Sequence, residues 1–166
     1  MPRGGAGGTE AVYSLLGYAF HQEFGLALPK IEKTANGKPF FPECPDVCFS
    51  LSHARTHVLC ALSGSPVGVD IESPREISSR AREYYSSGRE LEEFDALDLW
   101  VLKESYIKMK GATLALLKGI RFARTDEGGV IAPEAGVITR LYKVEGCRAA
   151  VSSSGEPPPA EVVVVR

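Results

Sequence analysis

Two carboxylates, Asp70 and Glu72, stand two residues apart in the stretch Pro66-Val67-Gly68-Val69-Asp70-Ile71-Glu72. Side chains on a strand alternate between its two faces. Val67, Val69 and Ile71 therefore share one face and Asp70 and Glu72 the other, with Gly68 leaving room beside them. Like charges so placed repel unless something sits between them. A hard divalent cation removes that cost, and Mg²⁺ is commonly held by one or two carboxylates together with substrate phosphates. The plain alternative is the solvated face of an amphipathic strand, and for this stretch alone it is the better reading. A third carboxylate changes the balance. Leu97, Trp100, Val101, Glu104, Ile107, Lys108 and Gly111 recur at spacings of three and four, so Glu104 interrupts an apolar helical stripe. A carboxylate in such a place must be paired or metal-bound. Lys108, four residues on, could form an exposed ion pair with Glu104, worth a few tenths of a kcal/mol. The apolar neighbours favour a functional buried carboxylate.

The elements that must position these residues follow from periodicity. Thr9 to Phe24 is expected to be a helix, capped by Thr9 and ended by Gly25, after a flexible lead-in over residues 1–10. Pro29 to Pro45 is irregular, with Asn36-Gly37 and Lys38-Pro39 as turn signals. Lys30 and Lys33 are best read as solvated loop lysines. Val47 to Leu51, His57 to Ser63 and Pro66 to Glu72 read as three strands joined by tight turns, which predicts an antiparallel meander. Ser52-His53 then lies at a strand end, where loops carry function. Helical pattern returns over 76–85 and 88–96, and the main helix is Leu97 to Lys110, with Gly111 as its terminating residue. Strands are expected over 120–124, 137–144, 147–152 and 162–165. The order of helices and strands predicts an α+β fold with two similar lobes.

Bulk properties narrow the class. With 166 residues, 44% hydrophobic and 24% charged, the chain is globular, one domain or two small lobes sharing a core. A net charge of −2 offers no case for nucleic-acid or membrane binding. No apolar run reaches the roughly 18 residues of a membrane helix, and the Gly-rich start lacks the apolar core of a signal peptide. A cytoplasmic location is expected. Cys44, Cys48, Cys60 and Cys147 lack zinc-ligand spacing and read as reduced, mostly buried thiols.

Four stretches together carry a resemblance: Gly37-Lys38-Pro39, Phe49-Ser50-Leu51-Ser52-His53, Gly68-Val69-Asp70-Ile71-Glu72, and Trp100-Val101-Leu102-Lys103-Glu104-Ser105-Tyr106-Ile107-Lys108-Met109-Lys110-Gly111. In this order and spacing they resemble the signatures of the 4′-phosphopantetheinyl transferases of the surfactin (Sfp) type. The likeness runs from about Tyr13 to the C-terminus. It implies a pseudo-twofold fold of antiparallel strands packed with helices, here with residues 11–67 as a reduced N-terminal lobe and 68–166 as the C-terminal lobe of one unit. It implies transfer of the phosphopantetheine arm of coenzyme A to a serine of an acyl, peptidyl or aryl carrier protein. Asp70, Glu72 and Glu104 would hold Mg²⁺, with Mn²⁺ as a substitute. Glu104 would be the base, directly or through a metal-bound water, with Lys108 orienting phosphate. Lys38, Ser52 and His53 would grip the coenzyme A phosphates. Lys103 would point away from Glu104, toward a phosphate or solvent. Glu90 resembles a further glutamate near the metal, against which stands a solvated helix position.

One departure stands out. Members of this type have a longer N-terminal lobe with additional basic residues, so coenzyme A would be held more weakly or with help from a neighbouring subunit. A monomer is expected. Two other functions compete: a relative that binds coenzyme A or a carrier protein without transfer, and a metal-dependent nucleotide hydrolase. Arg75, Arg80 and Arg82 are candidates for meeting an acidic carrier protein, against the plainer reading of a solvated face.

Overall fold

Residues 6–165 are described by the computed structural model. The chain runs α1 (Ala6–Phe24), a small hairpin of β1 (Glu32–Lys33) and β2 (Pro39–Phe40), then β3 (Cys48–His53), β4 (Val58–Ser63) and β5 (Val67–Glu72). Three helices follow: α2 (Ser79–Tyr85), α3 (Gly88–Glu93) and α4 (Ala96–Lys110). A 3-10 turn (Leu114–Gly119) leads to the short pair β6 (Ala123–Arg124) and β7 (Val130–Ile131) and the long hairpin β8 (Ile138–Val144) and β9 (Cys147–Ser153). The ladders are antiparallel, as the α+β expectation requires.

A helix over antiparallel strands occurs twice. Helix α1 covers the β3–β4 hairpin and buries Leu16 and Phe20 against Phe41 and Phe49. Helix α4 lies across the sheet of order β5–β9–β8. Its far side packs under α2, α3 and the 3-10 turn, through Tyr85, Phe94, Leu102, Tyr106 and Leu117. Nine residues of α4 are buried, so it is a core helix enclosed on most sides. The strip Leu97, Trp100, Glu104 and Lys108 stays half-buried, and that strip carries the candidate chemistry. Gly111 ends α4 at φ 63°, in the left-handed region, as its glycine identity predicts.

Gly68 decides how close α4 comes to β5. A Cβ at this position would lie 2.0 Å from the Ser105 carbonyl oxygen and 2.2 Å from the Met109 nitrogen. Only a residue without a side chain admits the helix backbone there.

The fold corrects several expectations. Helix α1 already includes residues 6–10, which belong to the expected lead-in; residues 1–5 of that expectation lie outside the described residues. The meander does not form. Strands β3 and β4 pair residue for residue, but β5 leaves them and pairs along its whole length with β9. Residues 162–165 form no strand. The proline run at 157–159 precedes them, and the Tyr142 hydroxyl fixes that run by donating to the Pro159 carbonyl at 2.6 Å. Of 120–124 only Ala123 and Arg124 are in a strand. All four cysteines are free; Cys147 is buried and the other three are half-buried.

Candidate active site

Strand β5 receives its hydrogen bonds differently on its two edges. One edge is laddered to β9. On the other, the Val69 N–H donates to Ser50 Oγ at 3.0 Å and the Ile71 N–H to Ser52 Oγ at 3.2 Å. Both contacts advance by two residues, so β3 runs beside β5 in the same direction and serves it with hydroxyls. Ser52 completes its capacity elsewhere: its hydroxyl donates to Asp70 Oδ1 at 2.9 Å and accepts from Lys108 Nζ at 3.1 Å. A hydroxyl has one donor and two lone pairs, and all three are now used. Lys108 Nζ also donates to Asp70 Oδ1 at 2.7 Å. Asp70 Oδ2 is buried and has no partner among the described residues. Burial pushes the Asp70 carboxyl up, against the pull of Lys108 and Ser52.

Glu72 is held by its own cation. Arg75 donates from Nε to Oε2 and from Nη2 to Oε1, both at 3.2 Å, and Trp100 Nε1 donates to Oε1 at 3.1 Å. Glu104 completes the group from α4. Burial pushes its carboxyl up, the charges of Asp70 and Glu72 push the same way, and Lys108 opposes them. The three carboxylates therefore share one electrostatic neighbourhood. The expected Glu104–Lys108 pair gives way to Lys108–Asp70.

A cation fits this group in part. The donor atoms are hard oxygens, Asp70 Oδ2 lacks a partner, and Glu104 is destabilised by its neighbours' charge, all of which suit a divalent ion. Among the described residues, however, no set of three or more such side chains is drawn tightly enough to hold a metal. The Glu72 oxygens are committed to Arg75 and Trp100.

The expected phosphate ligands separate. A cleft of about 200 Å³ opens between the Gly37-Lys38-Pro39 turn, β3 and the end of α4, with Lys108 in its wall. Lys38 borders it, donating to the Met109 carbonyl at 2.7 Å and the Val67 carbonyl at 3.4 Å. A cation there suits the negative end of α4, and burial holds its ammonium below the ordinary value. His53 is exposed at the end of β3 and packs beside Gly8 of α1, where an added Cβ would sit 3.3 Å from His53 Nδ1; it does not line the cleft.

Lys103 departs from the expectation of a phosphate or solvent. It is fully buried and donates to the carbonyls of Tyr85 and Ile120 and to Glu90. Its three donors are spent inside the protein. Glu90 likewise is neither solvated nor beside Asp70. It is 2% exposed, completes a capping box with Ser87 at the start of α3, and accepts from Phe122 N–H at 3.1 Å. The Ser-x-x-Glu spacing from 87 to 90 was the available signal.

Reading the residues alone missed Ser50 and Trp100 and placed Arg75 on a solvated face. The Ser50-x-Ser52 alternation on β3, matching Asp70-x-Glu72 on β5, was the signal for the serines. The spacing of Arg75, three residues after Glu72, was a local signal for their ion pair, whereas nothing local pointed from Trp100 to Glu72, because that contact joins a strand to a distant helix.

Comparison with known proteins accords with these stretches. A model of the 4′-phosphopantetheinyl transferase superfamily matches residues 66–149, from β5 into β9. The 4′-phosphopantetheinyl transferase Sfp of Bacillus subtilis (strain 168) is 30% identical over 78% of this chain and 65% of its own length. The 4′-phosphopantetheinyl transferase psf-1 of Bacillus pumilus is 26% identical over 91% of this chain and 72% of its own, and gsp of Aneurinibacillus migulanus is 32% identical over 61% and 49%. The chain thus spans about two thirds or less of the length of most of these relatives. With a family model over half the chain and the carboxylate strand and helix inside it, the chain belongs to the 4′-phosphopantetheinyl transferase superfamily, as a member of the Sfp type.

Proposed function

We propose that this chain transfers the 4′-phosphopantetheine group of coenzyme A to a serine of an acyl, peptidyl or aryl carrier protein, in the cytoplasm, and releases adenosine 3′,5′-bisphosphate. The observation that carries this reading is the Asp70–Lys108 pair with Glu104 close enough to feel the charges of both and of Glu72, inside the segment matched by the family model. The serine oxygen bonds to the pantetheine-side phosphorus as the bridging bond to the nucleotide phosphate breaks. Glu104 takes the serine proton; a carboxyl pushed up by burial and by like charges is a better base than a solvated one. Lys108 sets a positive charge in the cleft wall, where phosphate charge is to be stabilised. Lys38 lies at the same cleft and supplies a second ammonium for the phosphates. Asp70, Glu72 and Glu104 would hold Mg²⁺, which when bound neutralises the pyrophosphate and the charge on its leaving half.

The test is incubation with coenzyme A, Mg²⁺ and a panel of apo carrier proteins, read by intact mass. One added phosphopantetheine on a serine, together with released adenosine bisphosphate, is expected. Asp70→Asn and Glu104→Gln should lower the rate at least ~100-fold, in the range of lost acid–base or electrostatic catalysis, with the circular dichroism spectrum unchanged. Wild-type turnover in either variant removes that residue from the mechanism.

A second reading, a relative that binds coenzyme A or a carrier protein without transfer, draws on Asp70 and Glu72 each being held by a protein cation. Calorimetric binding of coenzyme A independent of Mg²⁺, with no product on any carrier, would select it.

A further inference from the structure

Glu72 is a proposed metal ligand whose carboxylate the protein already occupies. Among the described residues, Oε2 accepts from Arg75 Nε alone, whereas Oε1 accepts from both Arg75 Nη2 and Trp100 Nε1. Arg75 also sits over the Trp100 ring at 5.9 Å from its centroid. We propose that Arg75 is a gate on Glu72: its guanidinium fills the carboxylate until a divalent cation displaces it, while Trp100 keeps Oε1 as a pivot and Oε2 turns to the cation. This rests on the metal reading given above.

Three features carry the proposal. The first is charge. Asp70, Glu72 and Glu104 set against Lys108 leave two net negative charges, the charge of one divalent ion. Arg75 balances part of that charge while no metal is present and becomes surplus once one binds. The second is exposure. The Arg75 side chain is 47% exposed and that of Glu72 26%, so the pair is weak and the guanidinium returns to water at little cost. Lys108 is less exposed and shares Asp70 with Ser52, so it is not the cation that leaves. The third is the donor left behind. A half-buried indole N–H without an acceptor costs free energy, which favours Trp100 retaining Oε1 through the exchange.

Trp100 is the sole tryptophan of the chain, so the exchange reports on itself. The experiment titrates the full chain with Mg²⁺ alone, and again with coenzyme A present, following calorimetry and indole emission together. Emission should change with the same midpoint as binding. Arg75→Gln removes the competing cation and should bind Mg²⁺ about two- to fivefold more tightly, the range expected for an exposed ion pair. Its metal-free emission should already differ from wild type. Arg75→Lys, which keeps the charge without the fork, should fall between. If Arg75→Gln binds Mg²⁺ with unchanged or weaker affinity, or if wild-type emission ignores the metal, the gate is wrong. If wild type shows no saturable Mg²⁺ binding, or binding survives Asp70→Asn, the metal reading fails and the gate with it.

Discussion

At the scale of single residues, a buried ion pair lies away from the cleft. Lys103 is fully enclosed and Glu90 nearly so, 3.0 Å apart. Removing one partner of a buried pair leaves an uncompensated charge, which costs about 3–5 kcal/mol. Lys103→Met and Glu90→Gln should each lower unfolding free energy by about that amount in urea titrations. The double change to Met and Leu should recover only part of it, because it removes the uncompensated charge but leaves the Tyr85 and Ile120 carbonyls and the Phe122 N–H without their side-chain partners. Glu90 also gives the stability a defined acid limit. Burial pushes its carboxyl up, but the N–H groups of Phe122 and Ser87 and the Lys103 ammonium outweigh this and hold it below the ordinary glutamate value. A carboxyl depressed in the folded state stabilises above its unfolded pKa, and that contribution is lost as pH falls through the folded one. Unfolding free energy should therefore fall below about pH 4.3, the ordinary glutamate value, and Glu90→Gln should flatten that part of the curve.

At the scale of elements, the site depends on two close approaches. The first is α4 on β5 at Gly68. Gly68→Ala places a methyl group inside backbone van der Waals distance of Ser105 and Met109. Helix and strand must then part, at a cost of about 3 kcal/mol or more, toward the upper end of overpacking penalties, and Glu104 and Lys108 move off with the helix. Gly64→Ala is the control, since nothing lies within 4 Å of its added Cβ; loss of thermal stability there equal to that of Gly68→Ala would refute the argument. The second approach is β3 beside β5. Ser50→Ala strips the Val69 N–H of its acceptor, a buried donor loss worth about 1–3 kcal/mol. Amide exchange at Val69 should accelerate more than at its β9 partner Val151, and equal acceleration at both would point to global loosening instead.

At the scale of the whole molecule, the two helix-on-strand units meet where Ser50 and Ser52 serve β5. The expected division at residues 11–67 and 68–166 leaves the site dependent on both halves: Ser52 and Lys38 come from the first, and Asp70, Glu72, Glu104 and Lys108 from the second. We expect the halves to unfold as one. Leu16 lies in the core of the first half, fully buried, and Trp100 in the second. Leu16→Ala should cost about 2–5 kcal/mol and shift the denaturation midpoint read from Trp100 emission as much as that read from far-UV circular dichroism. An unmoved Trp100 midpoint would show that the halves unfold separately.

The residue types and local periods by themselves determined that Asp70 and Glu72 share a strand face, that Glu104 and Lys108 share a helix strip, that Gly111 ends that helix, and that the fold mixes helices with antiparallel strands. Each depends on the 2.0 and 3.6 residue periods and on the conformations glycine tolerates, which act over a few neighbours. Tertiary structure decided the partners. It took β5 from β4 to β9, gave Lys108 to Asp70 in place of Glu104, enclosed Lys103 with Glu90, and set Trp100 on Glu72. A carboxylate pairs with whichever cation the packing of distant segments brings within reach. The energy of that choice lies in desolvation and geometry across the fold, which no window of the chain contains.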